Sequence, residues 1–356
     1  MFWYDYKKSF DCSKTMVHWT YDNTVRQWYN FVAHKPSAKK GLQKLPAALQ
    51  TENRLYRPSH DYVAVLNKVQ SSWRATHYPE YEKLTLGQLK KRAGMPMHSK
   101  PPKPTPITSE QAKKVAALPR EFDWRRPPDG GPSYITPVRH QDHCGSCYAF
   151  ASAAAVEARI QVFTNRTVRP ILSPQDVVDC SQFSQVEGCD GGFAYLVAGK
   201  YGMVSGFVEE SCYPYQGKES GTCATPKDCK RYYTTDYRYI GGYYGACNEA
   251  LMKLELIHGG PFPVSIMAYD DLVTYKSGVY RHTGLADPLN RFNPFEITNH
   301  VILIVGYGYD EQLKLPYWTI KNSWGESWGE NGFGRILRGS DEIAIESLGM
   351  TFKPMF

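Results

Sequence analysis

Gln141-Asp142-His143-Cys144-Gly145-Ser146-Cys147-Tyr148 leads directly into Ala149-Phe150-Ala151-Ser152-Ala153-Ala154-Ala155, and the change of composition at Cys147 decides how the chain is read. Ala is the strongest helix former and Ser a good N-cap, so the stretch predicts a turn ending at Ser146 and a helix over Cys147 to Phe163. A cysteine in the first turn of a helix meets unsatisfied backbone N–H groups and the positive end of the dipole, and both favour the thiolate. Cys147 holds that position; Cys144 does not. Three other readings of these eight residues stay open here: a Cys144–Cys147 redox pair, half of a zinc site with His140 or His143, or two structural cysteines.

A thiolate also needs a proton shuttle and a group that orients it. His300 opens the apolar run His300 to Tyr307, where its ring could project from a strand end into a cleft. Alone, it reads equally as a core histidine. Asn322 follows the run Tyr317 to Lys321, and its amide oxygen could accept from an imidazole nitrogen and fix the tautomer. Alone, it reads as a turn residue. These runs and Pro263 to Ala268 are short, β-branched and aromatic, bounded by Gly, Pro or Asn, which predicts antiparallel strands. Helices followed by strands predict an α+β fold of two lobes with a cleft between them.

The remaining cysteines point to compartment. Of nine, eight lie between Cys144 and Cys247, mostly in Gly-, Pro- and Ser-rich sequence, which predicts three disulfides and an oxidising environment. The sequon Asn165-Arg166-Thr167 agrees with this.

The combination of Cys-Gly-Ser-Cys-Tyr (144 to 148), His300, and Asn-Ser-Trp-Gly (322 to 325) followed by Trp328-Gly329 resembles the papain-like cysteine peptidases. His300 and Asn322 lie 153 and 175 residues after Cys147. Those spacings exceed the family's usual ~130 to 150, which insertions account for. The resemblance runs from Leu118 to the C-terminus. It implies a papain-like two-lobe fold, a helical lobe and an antiparallel, β-barrel-like lobe. It implies Cys147 as nucleophile, His300 as imidazolium partner and general acid, Asn322 as the residue orienting His300, and Gln141 with the Cys147 N–H as oxyanion hole. Trp324 would shield the Asn322–His300 hydrogen bond. The same resemblance pairs Cys144 with Cys189, Cys180 with Cys223 and Cys212 with Cys229, and leaves Cys247 an unpaired thiol.

Within the family the chain is similar to the dipeptidyl-peptidase I branch, the cathepsin C type. The similarity rests on Arg-Tyr-Tyr (231 to 233), the run Gly241 to Leu256, Asn-Pro-Phe-Glu (293 to 296), Trp-Gly-Glu-Asn-Gly (328 to 332), Asn-Arg-Leu-Tyr (53 to 56) and Glu82 to Gly87. That branch implies removal of dipeptides from free N-termini of peptides and proteins, a bound chloride, and cleavage by an activating protease into heavy and light chains of a homo-tetramer. By position the chloride contacts fall on Phe193, Tyr195 and Tyr239, and the heavy/light cut near Asp287. The implied domains are an exclusion-domain remnant over 1–36, a helical propeptide over 37–117, and a catalytic domain over 118–356, heavy chain 118–286 and light chain 287–356. Because most of the exclusion domain and its acidic anchor are missing, endopeptidase action is the alternative; a catalytically inactive binding homologue is the other. Cys12 has no partner, Asn30 standing where the branch has a cysteine. The implied location is lysosomal or secreted.

In the propeptide, Ser59 as N-cap with Val63, Leu66, Val69 and Trp73 along one face predicts an amphipathic helix. Thr85 to Gly94 predicts a second, and Pro96 to Pro106 an extended strap. The boundary to the catalytic part falls near Leu118.

Composition closes off other classes. With 356 residues, 42% hydrophobic and 22% charged, the chain can bury a core, which excludes disordered and collagen-like classes. No run approaches the ~18 apolar residues of a membrane span. The N-terminus lacks a signal's basic and apolar regions, so either the protein is not secreted or the chain begins downstream of its signal. The net charge of +7 hints at an acidic partner, yet residues 1–117 hold 20 Lys plus Arg against 8 Asp plus Glu, and residues 118–356 hold 22 against 27. A basic prosegment on an acidic enzyme explains the surplus without nucleic acid, and predicts a latch sensitive to acid and salt.

Overall fold

The structure, a computed structural model, describes residues 52–93, 102–184, 186–289 and 299–355. The exclusion remnant with Cys12 and Asn30, Gly94, the strap from Pro96 to Pro101 and Asn293 to Glu296 lie outside the described residues. No helix among the described residues is long and apolar enough to cross a membrane.

The prosegment begins with α1 (His60–Val69), β1 (Trp73–Ala75), α2 (Leu86–Lys91) and α3 (Ser109–Ala116). Tyr62 and Leu66 of α1 are buried, but Val69 is 57% exposed and the helix stops there, four residues before Trp73. The polar stretch Gln70-Ser71-Ser72 ends it. Gln70 Oε1 accepts from Trp73 N, and the Asn67 side chain bonds both backbone groups of Ala75, turning the chain back as a strand. Trp73 therefore belongs to β1 rather than to the helix face. In α2, Thr85 and Gln88 form a reciprocal capping box. Helix α3, which the apolar pattern does not reveal because it buries no side chain, has the same device in Thr108 and Gln111.

The catalytic part contains β2 (Phe122–Asp123), α4 (Cys147–Phe163), α5 (Pro174–Cys180), β3 (Phe207–Val208), β4 (Arg231–Tyr239), α6 (Glu249–Gly259), β5 (Phe262–Ile266), α7 (Asp270–Val273), β6 (Tyr275–Tyr280), β7 (His300–Asp310), β8 (Leu315–Lys321), β9 (Phe333–Leu337) and β10 (Met350–Met355). Helix α4 starts at the predicted residue and is buried on every side from Cys147 to Gln161. One sheet has the order β1-β6-β9-β8-β7-β2 with β5 also on β7; β10-β4-β3 form a second. The large sheet is an open sheet rather than a closed barrel, and β6 pairs with β9 in parallel, a departure from the all-antiparallel expectation.

Strand β7 is the wall between two cores. Successive side chains of a strand point to opposite faces. Val301, Leu303 and Val305 pack with α4 in the helical core, while Ile302 and Ile304 pack in the sheet core. The prosegment joins this second core through Tyr56, Tyr62, Leu66, Trp73, Tyr78, Tyr81, Leu84, Leu86 and Leu89. Strand β1 extends the sheet by pairing with β6. At Gly278, φ is +100° and a Cβ would come within 2.5 Å of the Ser72 carbonyl, so glycine is what lets the prosegment lie this close.

Candidate active site

Cys147 is the first residue of α4, at the junction of the two lobes. The turn before it is held on several sides. Cys144 is disulfide-bonded to Cys189, Gly145 N donates to Cys189 O at 2.8 Å, and Tyr148 OH donates to Gly188 O at 2.8 Å. Ser146 does not cap the helix with its side chain; its hydroxyl meets Tyr215 OH at 2.7 Å, and Tyr215 OH donates to Gln141 O at 2.8 Å. Sequence reading missed Tyr215, whose Cys-Tyr-Pro-Tyr context marks only a turn. The pairing of Cys144 with Cys189 leaves no Cys144–Cys147 disulfide. Cys180–Cys223 and Cys212–Cys229 are bonded as expected, and Cys247 keeps a buried thiol, pushed up to about 12 by burial.

His300 stands at the start of β7 and Asn322 directly after β8, the neighbouring strand. Nε2 of His300 lies 2.8 Å from Asn322 Oδ1, which also accepts from Ser323 N at 2.8 Å. An amide oxygen can only accept, so Nε2 carries the proton and Nδ1 is the basic nitrogen. The indole of Trp324 stacks on the imidazole, centroids 4.7 Å apart. His300 is fully buried; burial pushes it down to about 4, against the opposing pull of Asn322 and the Arg92 backbone.

Gln141 links the lobes. Its N donates to Ser323 O at 2.9 Å and its Oε1 accepts from Ser323 Oγ at 2.6 Å. Its Nε2 donates to Cys144 O at 2.9 Å and to Arg92 O of the prosegment at 3.1 Å. Trp324 Nε1 also points at Arg92 O, at 3.4 Å. The Arg92 side chain is 4% exposed, lies over the Tyr81 ring at 4.9 Å and meets His140 Nε2 at 3.2 Å. A prosegment carbonyl thus occupies the Gln141 side-chain donor. Sequence reading gave no sign of this; Arg92 reads there as a helix-end residue.

Tyr195 and Tyr239 stack face to face with centroids 4.3 Å apart, while Phe193 is half-buried in the helical core. Asn165 is exposed, just beyond the end of α4.

Sulfur at a helix start, an imidazole with its basic nitrogen inward, and an amide donor already on a peptide carbonyl suit acyl transfer from an amide to a thiol. The class is a cysteine peptidase, here in its proform. The model of papain family cysteine proteases matches residues 118–352. Over 366 aligned residues, all of this chain and 79% of the relative, the protein is 47% identical to "Cathepsin C" of Schistosoma mansoni. It is 33% identical over 257 residues, 67% of the chain and 74% of the relative, to a gut-specific cysteine proteinase of Caenorhabditis elegans. Among solved structures, proCathepsin B S9 from Trypanosoma congolense superposes with a TM-score of 0.67 at 26% identity, covering 84% of this chain and 98% of that one. Procathepsin L 3 of the Tenebrio molitor larval midgut shares the fold, with a TM-score of 0.63 at 23% identity over 92% and 98% of the two chains. The chain belongs to the papain family of cysteine proteases.

Proposed function

We propose that this chain is the proform of a dipeptidyl peptidase whose catalytic set is Cys147, His300 and Asn322. The observation that supports it most is the Arg92 carbonyl bound by Gln141 Nε2 beside the His300–Asn322 pair. With the prosegment removed, a scissile carbonyl takes that place. Cys147 gives its thiol proton to His300 Nδ1 and attacks the carbonyl carbon as the thiolate, and the oxyanion is held by Gln141 Nε2 and the Cys147 N–H. His300 gives its Nδ1 proton to the leaving amine, then takes one from the water that hydrolyses the thioester. Asn322 keeps Nδ1 turned inward throughout.

Removal of dipeptides in particular is supported by the 47% identity to the Schistosoma mansoni protein named Cathepsin C and by the matching segments from Asn53 to Tyr56 and Gly241 to Leu256. The same likeness supports lysosomal or secreted location, an activating protease cutting near Asp287, assembly as a homo-tetramer, and glycosylation at Asn165. Chloride would be held by Tyr195 and Tyr239 beside Phe193. Burial pushes Tyr195 up and Tyr239 up to about 12, so both hydroxyls stay protonated donors, a donor set that suits a halide.

Two peptides of one sequence, one with a free and one with an acetylated N-terminus, test the specificity. The processed enzyme should cleave two residues from the free peptide and leave the acetylated one intact. Equal cleavage of both would establish endopeptidase action instead. Tyr239→Phe should raise the chloride concentration giving half-maximal activity; an unchanged requirement removes this chloride site. Stoichiometric labelling of Cys147 by an epoxide thiol inhibitor, lost in Cys147→Ser, is expected, and its absence would mean an inactive binding homologue.

A further inference from the structure

Lys321 ends β8 immediately before Asn322 and is 6% exposed, with Nζ donating to Thr136 O at 2.9 Å and to Thr136 Oγ1 at 3.1 Å. The Thr136 hydroxyl has one proton, and it goes to Glu157 Oε2. Glu157 is fully buried on α4, ten residues beyond Cys147 on the same helix. Its other oxygen accepts from Arg139 at 3.0 Å and from Leu172 N at 2.7 Å. Arg139 also reaches Glu210 at 3.4 Å and Leu172 O at 2.8 Å. A continuous buried path therefore runs from the strand end that carries Asn322, through Thr136, to the helix that carries Cys147.

Buried charges seldom stabilise a fold more than apolar residues of the same volume would, so stability alone is a weak reason for this cluster. Geometry is a stronger one. Beside the path, between Phe150 and Ala154 of α4, Val301 and Leu303 of β7, and Asn322, there is a cavity of about 20 Å³. Apolar packing is incomplete where α4 faces the end of β8. Asn322 Nδ2 is buried without a hydrogen bond, so its own amide does not anchor Asn322 on that side. The Lys321–Thr136–Glu157 path ties the end of β8 directly to α4, while the Gln141–Ser323 bonds tie it only to the turn before the helix.

We propose that Thr136 is a positioning residue for peptide hydrolysis, its hydroxyl joining Lys321 to Glu157 and thereby setting Asn322 and His300 against Cys147 across the two lobes. This rests on the reading of Cys147, His300 and Asn322 as the catalytic set. Thr136 acts through its neighbours and touches no reacting atom.

Thr136→Val keeps volume and charge and removes the hydroxyl; Thr136→Ser keeps the hydroxyl. Each full-length proform is processed, its active sites are counted by epoxide labelling of Cys147, and kcat and KM are measured per labelled site. For Thr136→Val the expected result is about a tenfold loss of kcat with KM within about twofold of wild type. Thr136→Ser should recover kcat to within about twofold. Wild-type kcat in Thr136→Val, or equal impairment in both variants, overturns the proposal while leaving the catalytic set intact. Failure of the wild-type enzyme to label removes the catalytic reading and the proposal with it. Should Thr136→Val not fold, Lys321→Arg, which keeps the charge but changes the donor geometry, is expected to lose kcat in the same way; an unchanged kcat there overturns the proposal.

Discussion

Gln141 Nε2 donates to the prosegment carbonyl of Arg92, and the proposed oxyanion role would give that same donor to the substrate once the prosegment leaves. Gln141→Ala should lower kcat of the processed enzyme about 10² to 10³-fold with little change in KM, as expected for a donor whose bond strengthens in the transition state. A fall confined to KM would place Gln141 outside the oxyanion hole. His300 sets the pH response of the covered site. Its folded pKa of about 4 lies below the ordinary 6.5, so the closed proform binds fewer protons than an opened one. Stability from this source is complete above about pH 6.5 and falls as pH drops toward 4, by about 3 kcal/mol in all. His140 works in the same direction: burial first and the Arg92 guanidinium second, with its nitrogen 3.2 Å from His140 Nε2, hold it low. The thermal midpoint of the proform should drop between pH 7 and 4, and should drop less in His140→Gln, which keeps an acceptor without titrating. A midpoint flat over that range in the wild type would remove both histidines from the account.

At the scale of elements, what could be read in advance was what local chemistry dictates. The run of alanines after Cys147 sets α4 and the β-branched run after His300 sets its strand, so both stand where the sequence puts them, although Ser146 spends its hydroxyl on Tyr215 rather than on a cap. The end of α1 depends on a side-chain clasp between Asn67 and Ala75 and on an accepting strand 200 residues away, neither of which has a period. Helix α3 lacks a buried face, but its Thr108-x-x-Gln111 capping box was present in the sequence to be found. Tyr215 and Arg92 were illegible because their roles exist only once distant segments meet. Strand β1 carries the prediction at this scale. Trp73 is 1% exposed, packs on Tyr275 and Tyr280, and donates to Arg281 O at 3.0 Å. Trp73→Ala removes that contact at about 3 to 5 kcal/mol of prosegment docking. The unprocessed variant should then react with an epoxide thiol inhibitor at neutral pH where the wild-type proform is protected. Equal protection of the two would show that β1 does not hold the prosegment closed.

For the whole molecule, the net charge of +7 and its uneven division between prosegment and enzyme suggest an electrostatic latch, and the structure redirects that idea. Lys91 and Asp190 pair across the boundary at 2.9 Å, but their side chains are 51% and 67% exposed. A pair so exposed is worth at most about 1 kcal/mol and is screened by salt. Against it stand ten buried apolar and aromatic prosegment residues in the sheet core, the strand pairing of β1, and Tyr78, which donates to Tyr275 O and accepts from Gly329 N. Burial of that kind is not screened by salt. Salt and acid should therefore separate. Raising sodium acetate from about 0.05 to 0.5 M at constant pH should speed prosegment release no more than about fivefold, the limit set by the one exposed pair across the boundary among the described residues. Lowering the pH from 7 to 4 should speed it by far more, because His300 and His140 sit at the contact itself. Acetate keeps chloride out of the comparison, so an effect on a chloride site cannot pass for screening. If release rises tenfold or more with salt at constant pH, charge rather than the aromatic face of the prosegment keeps the enzyme closed.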